Sequence, residues 1–264
     1  MCGIAGYSLD NESRIDRTLA AQALLAGIAE RGADAVGYAY RDDGAPVTVV
    51  KRRSGASALL EELRIPDRAT QALVHVRDYT KGHPSIEANN HPIRHGAVVG
   101  IHNGIILNDE EIFAEHGFHR AEPQMTVDSE AIFALAELAE SRAQALERLR
   151  GTMASAWVDE RRPDLLFVAR AVGRPLWLGR GRHETFFAST RDALEVVESS
   201  LRATLRKTEV GEGTLVALRA GKSAWNERFT PDRSYEEEPL PAVRAAEEGV
   251  SCLSRLAAIV AAAA

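Results

Sequence analysis

The sequence predicts an α+β protein in which helices flank layered sheets. Short apolar segments of strand length recur along the whole chain, stretches of helical spacing are interleaved with them, and Gly, Asp, Asn and Pro separate one from the next. With 264 residues, 45% of them hydrophobic and 27% charged, the chain is large enough to bury the core such layers require.

Cys2 to Leu9 is a short apolar segment and reads as a first strand. From Arg14 to Glu30, Ile15, Leu19, Leu24 and Ile28 recur three to five residues apart, which predicts a helix. Val36 to Tyr40 and Val47 to Val50 flank Asp42-Asp43-Gly44 and predict a hairpin. Leu73 to Val76 and Ala97 to Ile101 read as buried strands, joined by a loop rich in Gly, Pro and Asn that is long for a purely structural connection. A helix is expected from Asp128 to about Leu149, with Asp128 or Ser129 as its cap. Strands follow at Ala154 to Val158, Leu165 to Ala169, Leu176 to Leu178, Thr185 to Ala188 and Leu215 to Leu218, with a helix over Thr190 to Ser199. The acidic, Pro-containing segment Tyr235 to Pro241, which includes Glu236-Glu237-Glu238, precedes an Ala-rich helix. The expected organisation is one domain over 1–235 and a linker plus C-terminal helix over 236–264.

Charge and composition narrow the function classes. A net charge of -6, from 32 Lys and Arg against 38 Asp and Glu, gives no electrostatic reason to expect nucleic acid as a partner. The apolar run Leu256 to Ala264 is well short of the roughly 20 residues of a bilayer span, and charges from Asp10 to Arg17 interrupt any leader-like start, so no membrane partner is expected. Cys2 and Cys252 are too few for a disulfide framework and point to a reducing, cytoplasmic setting. Cys252, among Val250, Leu253, Leu256 and Ile259, reads as a buried core thiol. No metal is expected, because paired-cysteine and His-Glu-x-x-His spacings are missing and His83, His91 and His95 share a loop without such a pattern. Neither is a cofactor, since no Gly-rich phosphate loop is present.

Cys2 is the most informative residue. Removal of Met1 would leave it with a thiol and a free α-amino group, whose ordinary pKa of about 8 suits a general base near neutrality. Nucleophile and base would then share one residue. Five further segments follow: Arg31-Gly32-Ala33-Asp34-Ala35-Val36-Gly37, His75-Val76-Arg77-Asp78-Tyr79-Thr80-Lys81-Gly82, Asn89-Asn90-His91-Pro92-Ile93, His102-Asn103-Gly104 and Asp128-Ser129-Glu130. Taken alone, Cys2 reads as a buried strand residue, Asn103-Gly104 as a hairpin turn, Arg77 as a surface ion pair and Asp128 as a helix cap.

Together with Cys2-Gly3-Ile4-Ala5-Gly6, and in this order, these segments resemble the class II glutamine amidotransferase domain of the N-terminal-nucleophile hydrolase superfamily, from Cys2 to about Glu130. The resemblance implies a four-layer αββα sandwich of two antiparallel sheets between helical layers. It also implies a γ-glutamyl thioester on Cys2, with Asn103 and the Gly104 N–H stabilising the oxyanion. Glutamine is a zwitterion, and Arg77 and Asp128 match the positions for its α-carboxylate and α-ammonium. Thr80 and Gly82 match residues lining that site, while Arg31 and Asp34 fit turn and support roles.

Two positions depart from the pattern. Where the family has Trp or Tyr after the arginine and a His or small residue after the threonine, this chain has Asp78 and Lys81. Asp78 either pairs with Arg77 or faces solvent and pairs with Lys81 across a turn. The expected function is a free-standing glutaminase subunit that supplies ammonia to a separate synthase, with the C-terminal helix as a docking element or simply packed on the fold. Two alternatives are an N-terminal-cysteine amidase acting on another γ-glutamyl or amide substrate, and a catalytically silent glutamine-sensing or scaffold subunit. Homo-oligomerisation is left open.

Overall fold

Strand alternation sorts the chain's apolar residues onto three faces. The computed structural model describes residues 2–42, 46–235 and 241–263. Within them the strands are β1 (Gly3–Leu9), β2 (Ala35–Arg41), β3 (Thr48–Arg52), β4 (Gln71–Arg77), β5 (Ile93–His95), β6 (Val98–Ile106), β7 (Gly151–Asp159), β8 (Leu166–Arg170), β9 (Trp177–Arg180), β10 (Glu184–Ala188), β11 (Arg206–Glu209), β12 (Thr214–Arg219) and β13 (Lys222–Arg228). The helices are α1 (Arg17–Ile28), α2 (Ala56–Leu60), α3 (Asp109–His116), α4 (Glu130–Leu138), α5 (Arg191–Leu201) and α6 (Ala246–Ala263).

One sheet runs β11-β9-β10-β1-β4-β2-β3 and the other β13-β12-β8-β7-β6-β5, with antiparallel pairing throughout. On β4, Ala72, Val74 and Val76 point outward into a core shared with α1, α2, α5 and α6, while Leu73 points inward to the other sheet. On β6, Val99 and Ile101 point inward, and Val98 packs outward with Ile132 and Phe133 of α4. The result is the αββα sandwich that the resemblance implied.

Local chemistry explains most boundaries. Asp16 caps α1 by accepting from the Leu19 N–H at 2.8 Å, and Thr190 caps α5 by accepting from the Ala193 N–H at 3.2 Å. The helix expected to reach Leu149 stops at Leu138: Glu140 and Ser141 adopt positive φ, Ser141 is buried as acceptor for the Trp157 indole, and a 3-10 segment, Ala143–Arg148, completes the connection. The β2–β3 hairpin forms as expected, although Asp43-Gly44 of its turn lies outside the described residues. Glu236-Glu237-Glu238 also lies outside them. Cys252 is buried with Leu256 in the core beneath α6, as its helical neighbours predicted.

Candidate active site

The same alternation places the chemistry. Ile4 of β1 faces inward and Gly3 faces Ile28 of α1, so Cys2 falls on the inner side, at the start of the central strand. His75 and Arg77 share the inward parity of Leu73, and Asn103 shares that of Val99 and Ile101. The sheets are stitched beside Asn103 by His75 Nε2, 3.1 Å from the His102 carbonyl. Residues far apart in sequence thus converge at one end of the inter-sheet space.

Cys2 is half-buried, and its Sγ donates to the Asp78 carbonyl at 3.4 Å. Burial pushes its thiol up, while the Asp78 carbonyl contact, the Arg77 charge and the chain's amino terminus oppose that and the Asp78 carboxylate adds to it. The Cys2 carbonyl accepts from Arg31 Nε at 3.0 Å, and the Ile4 N–H donates to Ser189 Oγ at 2.9 Å, so the backbone on both sides of the nucleophile is fixed. Arg31 therefore holds the nucleophile directly, a closer part than the turn role expected of it.

Arg77 is not a surface ion pair. Its guanidinium is 2% exposed and donates to Asn90 Oδ1 at 2.6 Å, to the Lys81 carbonyl at 2.9 Å and to the Gly82 carbonyl. These acceptors are neutral, and among the described residues no carboxylate lies in ion-pair contact with it, so a buried positive charge is felt at both Cys2 and Asp128. The 78–92 loop earns its length by wrapping this cation. Asn90 also donates to the Pro84 carbonyl at 2.9 Å, and Asn89 Oδ1 accepts from the Thr126 and Val127 N–H groups at 2.8 and 3.1 Å. Gly82 has φ +78°, and a Cβ there would sit 2.9 Å from Asn89 Cγ. Thr80 lies exposed on the loop.

Asn103-Gly104 is not a hairpin turn but the middle of β6, paired with Ala154 and Met153. Gly104 has φ +145°, and a Cβ would collide with the Thr152 carbonyl, which leaves glycine as the residue that fits. Asn103 is 1% exposed, yet among the described residues neither Nδ2 nor Oδ1 has a hydrogen-bond partner. A buried primary amide with both ends unpaired costs stability unless a ligand or water completes its hydrogen bonds.

Three buried histidines surround this point and all are neutral. Burial lowers His75 and His102 to about 3 and holds His91 well below the ordinary range. Carbonyl acceptors at Nε2 fix the tautomers: His75 donates to the His102 carbonyl, and His102 donates to the Thr152 carbonyl while its Nδ1 accepts from Ser129 Oγ at 2.8 Å. His91 stacks on His75 with ring centres 4.2 Å apart. The Cys2 hydrogen bond goes to a carbonyl, and no imidazole shares it among the described residues.

Asp128 lies two residues before α4, and its carboxylate accepts from the Ile106 N–H at 2.6 Å, tying the start of that helix to β6. Burial raises it to about 6, with the Asp109 charge adding to the effect and Lys81 and the Ile106 and Ser129 N–H groups opposing it. Ser129 occupies the N-cap position but makes no capping bond, its hydroxyl being engaged with His102. The two departures find partners other than those expected. Lys81 pairs with buried Asp109 at 2.7 Å, and Asp78 pairs with Arg244 at 3.1 Å, rather than with each other or with Arg77. Asp10, Glu12 and His183 are the described residues close enough together to share a cation, at the far end of β1 from Cys2.

A family model described as a glutamine amidotransferase domain matches residues 65–196, half the chain. The chain belongs to this family. It is 32% identical over 206 residues to glutamine–fructose-6-phosphate aminotransferase (isomerizing) of Shigella flexneri and of Escherichia coli K12, covering 74% of this chain and 32% of each relative. The Haemophilus ducreyi enzyme of the same name is 32% identical over 235 residues, covering 83% and 36%. The chain therefore spans about a third of the length of these curated relatives. Among solved structures, the glutamine phosphoribosylpyrophosphate amidotransferase from B. subtilis, complexed with ADP and GMP, superposes with TM-score 0.66 at 20% identity over 88% of this chain and half of that one. A second, described as the allosteric regulatory enzyme of purine biosynthesis, gives 0.67 at 21%. These superpositions establish the class II amidotransferase fold. No helix among the described residues is long and apolar enough to cross a membrane.

Of the candidates expected from the sequence, the structure brings Cys2, Arg77, Gly82, Asn103, Gly104 and Asp128 to one end of the sandwich and leaves Thr80 exposed on the neighbouring loop. Asn89 and Asn90 were singled out as a segment but given no role, and the structure shows their amides holding Arg77 and the 126–127 backbone.

Proposed function

We propose that the chain hydrolyses the side-chain amide of glutamine and delivers the ammonia to a synthase on a separate chain. The observation that carries this reading is Asn103, a buried amide whose N–H donor is unpaired among the described residues and faces inward at the end of the sandwich that holds Cys2 and the buried Arg77 charge. The Cys2 thiol gives its proton to the α-amine freed by Met1 removal and attacks the amide carbon. The C–O π electrons move to oxygen, where Asn103 Nδ2 and the Gly104 N–H stabilise the charge. Collapse of this intermediate breaks the C–N bond. The leaving nitrogen takes the proton from the α-ammonium and departs as ammonia, leaving a thioester. Water, deprotonated by the same amine, then releases glutamate and the thiol.

Arg77 attracts the α-carboxylate and Asp128, ionised above about 6, attracts the α-ammonium, with Thr80 and Gly82 at the edge of the site. The amine is the base of choice because the buried imidazoles are committed to carbonyls or stacked away from Sγ hydrogen bonding. In this reading residues 1–235 form the glutaminase unit, and α6 of segment 236–264 presents exposed Val250 and Leu253 to the synthase. Preference for a different γ-glutamyl compound rested on Asp78 and Lys81, but both spend their charge on partners within the chain. The test is glutamate release from glutamine and from larger γ-glutamyl amides, by the wild type and Cys2→Ala. Strong preference for glutamine, abolished in the variant, supports the proposal; equal turnover of both substrate classes, or none by the wild type, refutes it.

A further inference from the structure

The segment that leads into α6 reaches back to the nucleophile. Arg244 and Ala245 both donate their N–H groups to the Glu30 carbonyl at 2.8 Å, and Glu30 is the neighbour of Arg31, whose Nε holds the Cys2 carbonyl. From the same point the Arg244 guanidinium meets the Asp78 carboxylate at 3.1 Å, while the Asp78 carbonyl receives the Cys2 thiol. Residues on both sides of Asp78 are clamped to one turn: the Asp34 N–H donates to the Arg77 carbonyl at 3.0 Å, and Asp34 Oδ2 accepts from the Tyr79 N–H at 2.9 Å. The strap therefore grips the two loops that hold Cys2, one residue from the Arg31 contact and at the very residue that receives the thiol.

We propose that Arg244 is a positioning residue that neutralises Asp78, keeping its carboxylate from opposing thiolate formation at Cys2. The inference rests on Cys2 being the nucleophile of the proposed hydrolysis. The charges facing the thiol are Arg77 from β4, Asp78 from the loop after it, Arg31 from the 3-10 turn after α1, and the chain's amino terminus. Glu30 acts on Arg31, and Asp34 acts on Arg77. Asp78 is the one carboxylate in that set that opposes ionisation of the thiol, and Arg244 is its partner from the strap. An ion pair this close to the surface adds little to stability, so its contribution is to the local potential.

The test is the pH dependence of Cys2 alkylation by iodoacetamide, read by peptide mass, beside steady-state glutamine hydrolysis and thermal melts. In Arg244→Ala the alkylation midpoint moves up by roughly half a pH unit, about 3-fold slower labelling below the midpoint, and glutamine hydrolysis falls by a similar factor in the same pH range. Arg244→Lys retains the wild-type midpoint, and Arg244→Ala combined with Asp78→Asn restores it without restoring any loss in melting temperature. A midpoint unmoved in Arg244→Ala, or moved but unrescued by Asp78→Asn, overturns the proposal. Alkylation needs no glutamine turnover, so Cys2 that labels with this pattern in a protein inert toward glutamine would sink the hydrolase reading and leave Arg244's role standing.

Discussion

Asp128→Asn separates what the site costs from what it does. Asp128 is 3% exposed, and its carboxyl is raised from 3.8 to about 6. That shift of about two units corresponds to roughly 3 kcal/mol. The sign follows from linkage: the unfolded chain ionises near 3.8 while the folded one holds its proton to about 6, so the wild type loses stability as pH rises through that window and stays at the lower value above it. Asparagine keeps an acceptor for the Ile106 N–H but brings a buried amine, which offsets about 1 kcal/mol. The expected result is a variant about 2 kcal/mol more stable than the wild type at pH 7, with the difference shrinking toward pH 4. Urea titrations between pH 4.5 and 8 measure it. The same variant binds glutamine worse, and the acid limb of wild-type kcat/KM, which falls below about pH 6 as Asp128 is neutralised, disappears from it. A variant destabilised equally at every pH, or one that retains the acid limb, would refute the assignment of Asp128 as a buried charge kept for the substrate's ammonium.

Asn103→Ala removes one preorganised donor and should lower kcat by about 100- to 1000-fold with a much smaller change in KM, measured by steady-state glutamate release. Because this amide satisfies nothing within the described protein, melting temperature should hold or rise. Gly104→Ala forces a Cβ against the Thr152 carbonyl in a central strand and should cost both stability and kcat, seen in thermal melts and turnover. Leu256→Ala, at a side chain 3% exposed in the core under α6, should cost about 2–4 kcal/mol in urea titration, whereas Leu253→Ala on the exposed face should cost little.

The sequence revealed the architecture where one physical rule sufficed. Short continuous apolar segments identified β1, β4 and β6 as buried strands, and three-to-five spacing identified α1, because burial on both faces of a strand or one face of a helix writes its pattern into the chain. The element boundaries around Glu140 and Ser141 were illegible, since a buried hydroxyl receiving the Trp157 indole is a tertiary event without a local mark. Edge strands β11 and β13 were missed for a related reason: one edge of each is solvent-facing, so neither needs an apolar run. At the site, Cys2, Arg77, Asn103 and Asp128 were visible as residue types that the chemistry requires. Their environments were not. That Arg77 is wrapped by Asn90 and two loop carbonyls, that Arg31 holds the Cys2 carbonyl, and that Asp78 finds Arg244 all depend on chain segments far apart in sequence meeting at one sheet end.

The central claim is that Cys2 is the nucleophile of a pocket that selects glutamine. Its most direct test is the intact mass of the purified protein before and after incubation with a diazo-ketone analogue of glutamine, with Cys2→Ala alongside. The account predicts a chain lacking Met1 that gains one adduct, with no adduct on the variant and protection by excess glutamine. Retention of Met1 with no adduct, or labelling that persists in Cys2→Ala, would contradict it.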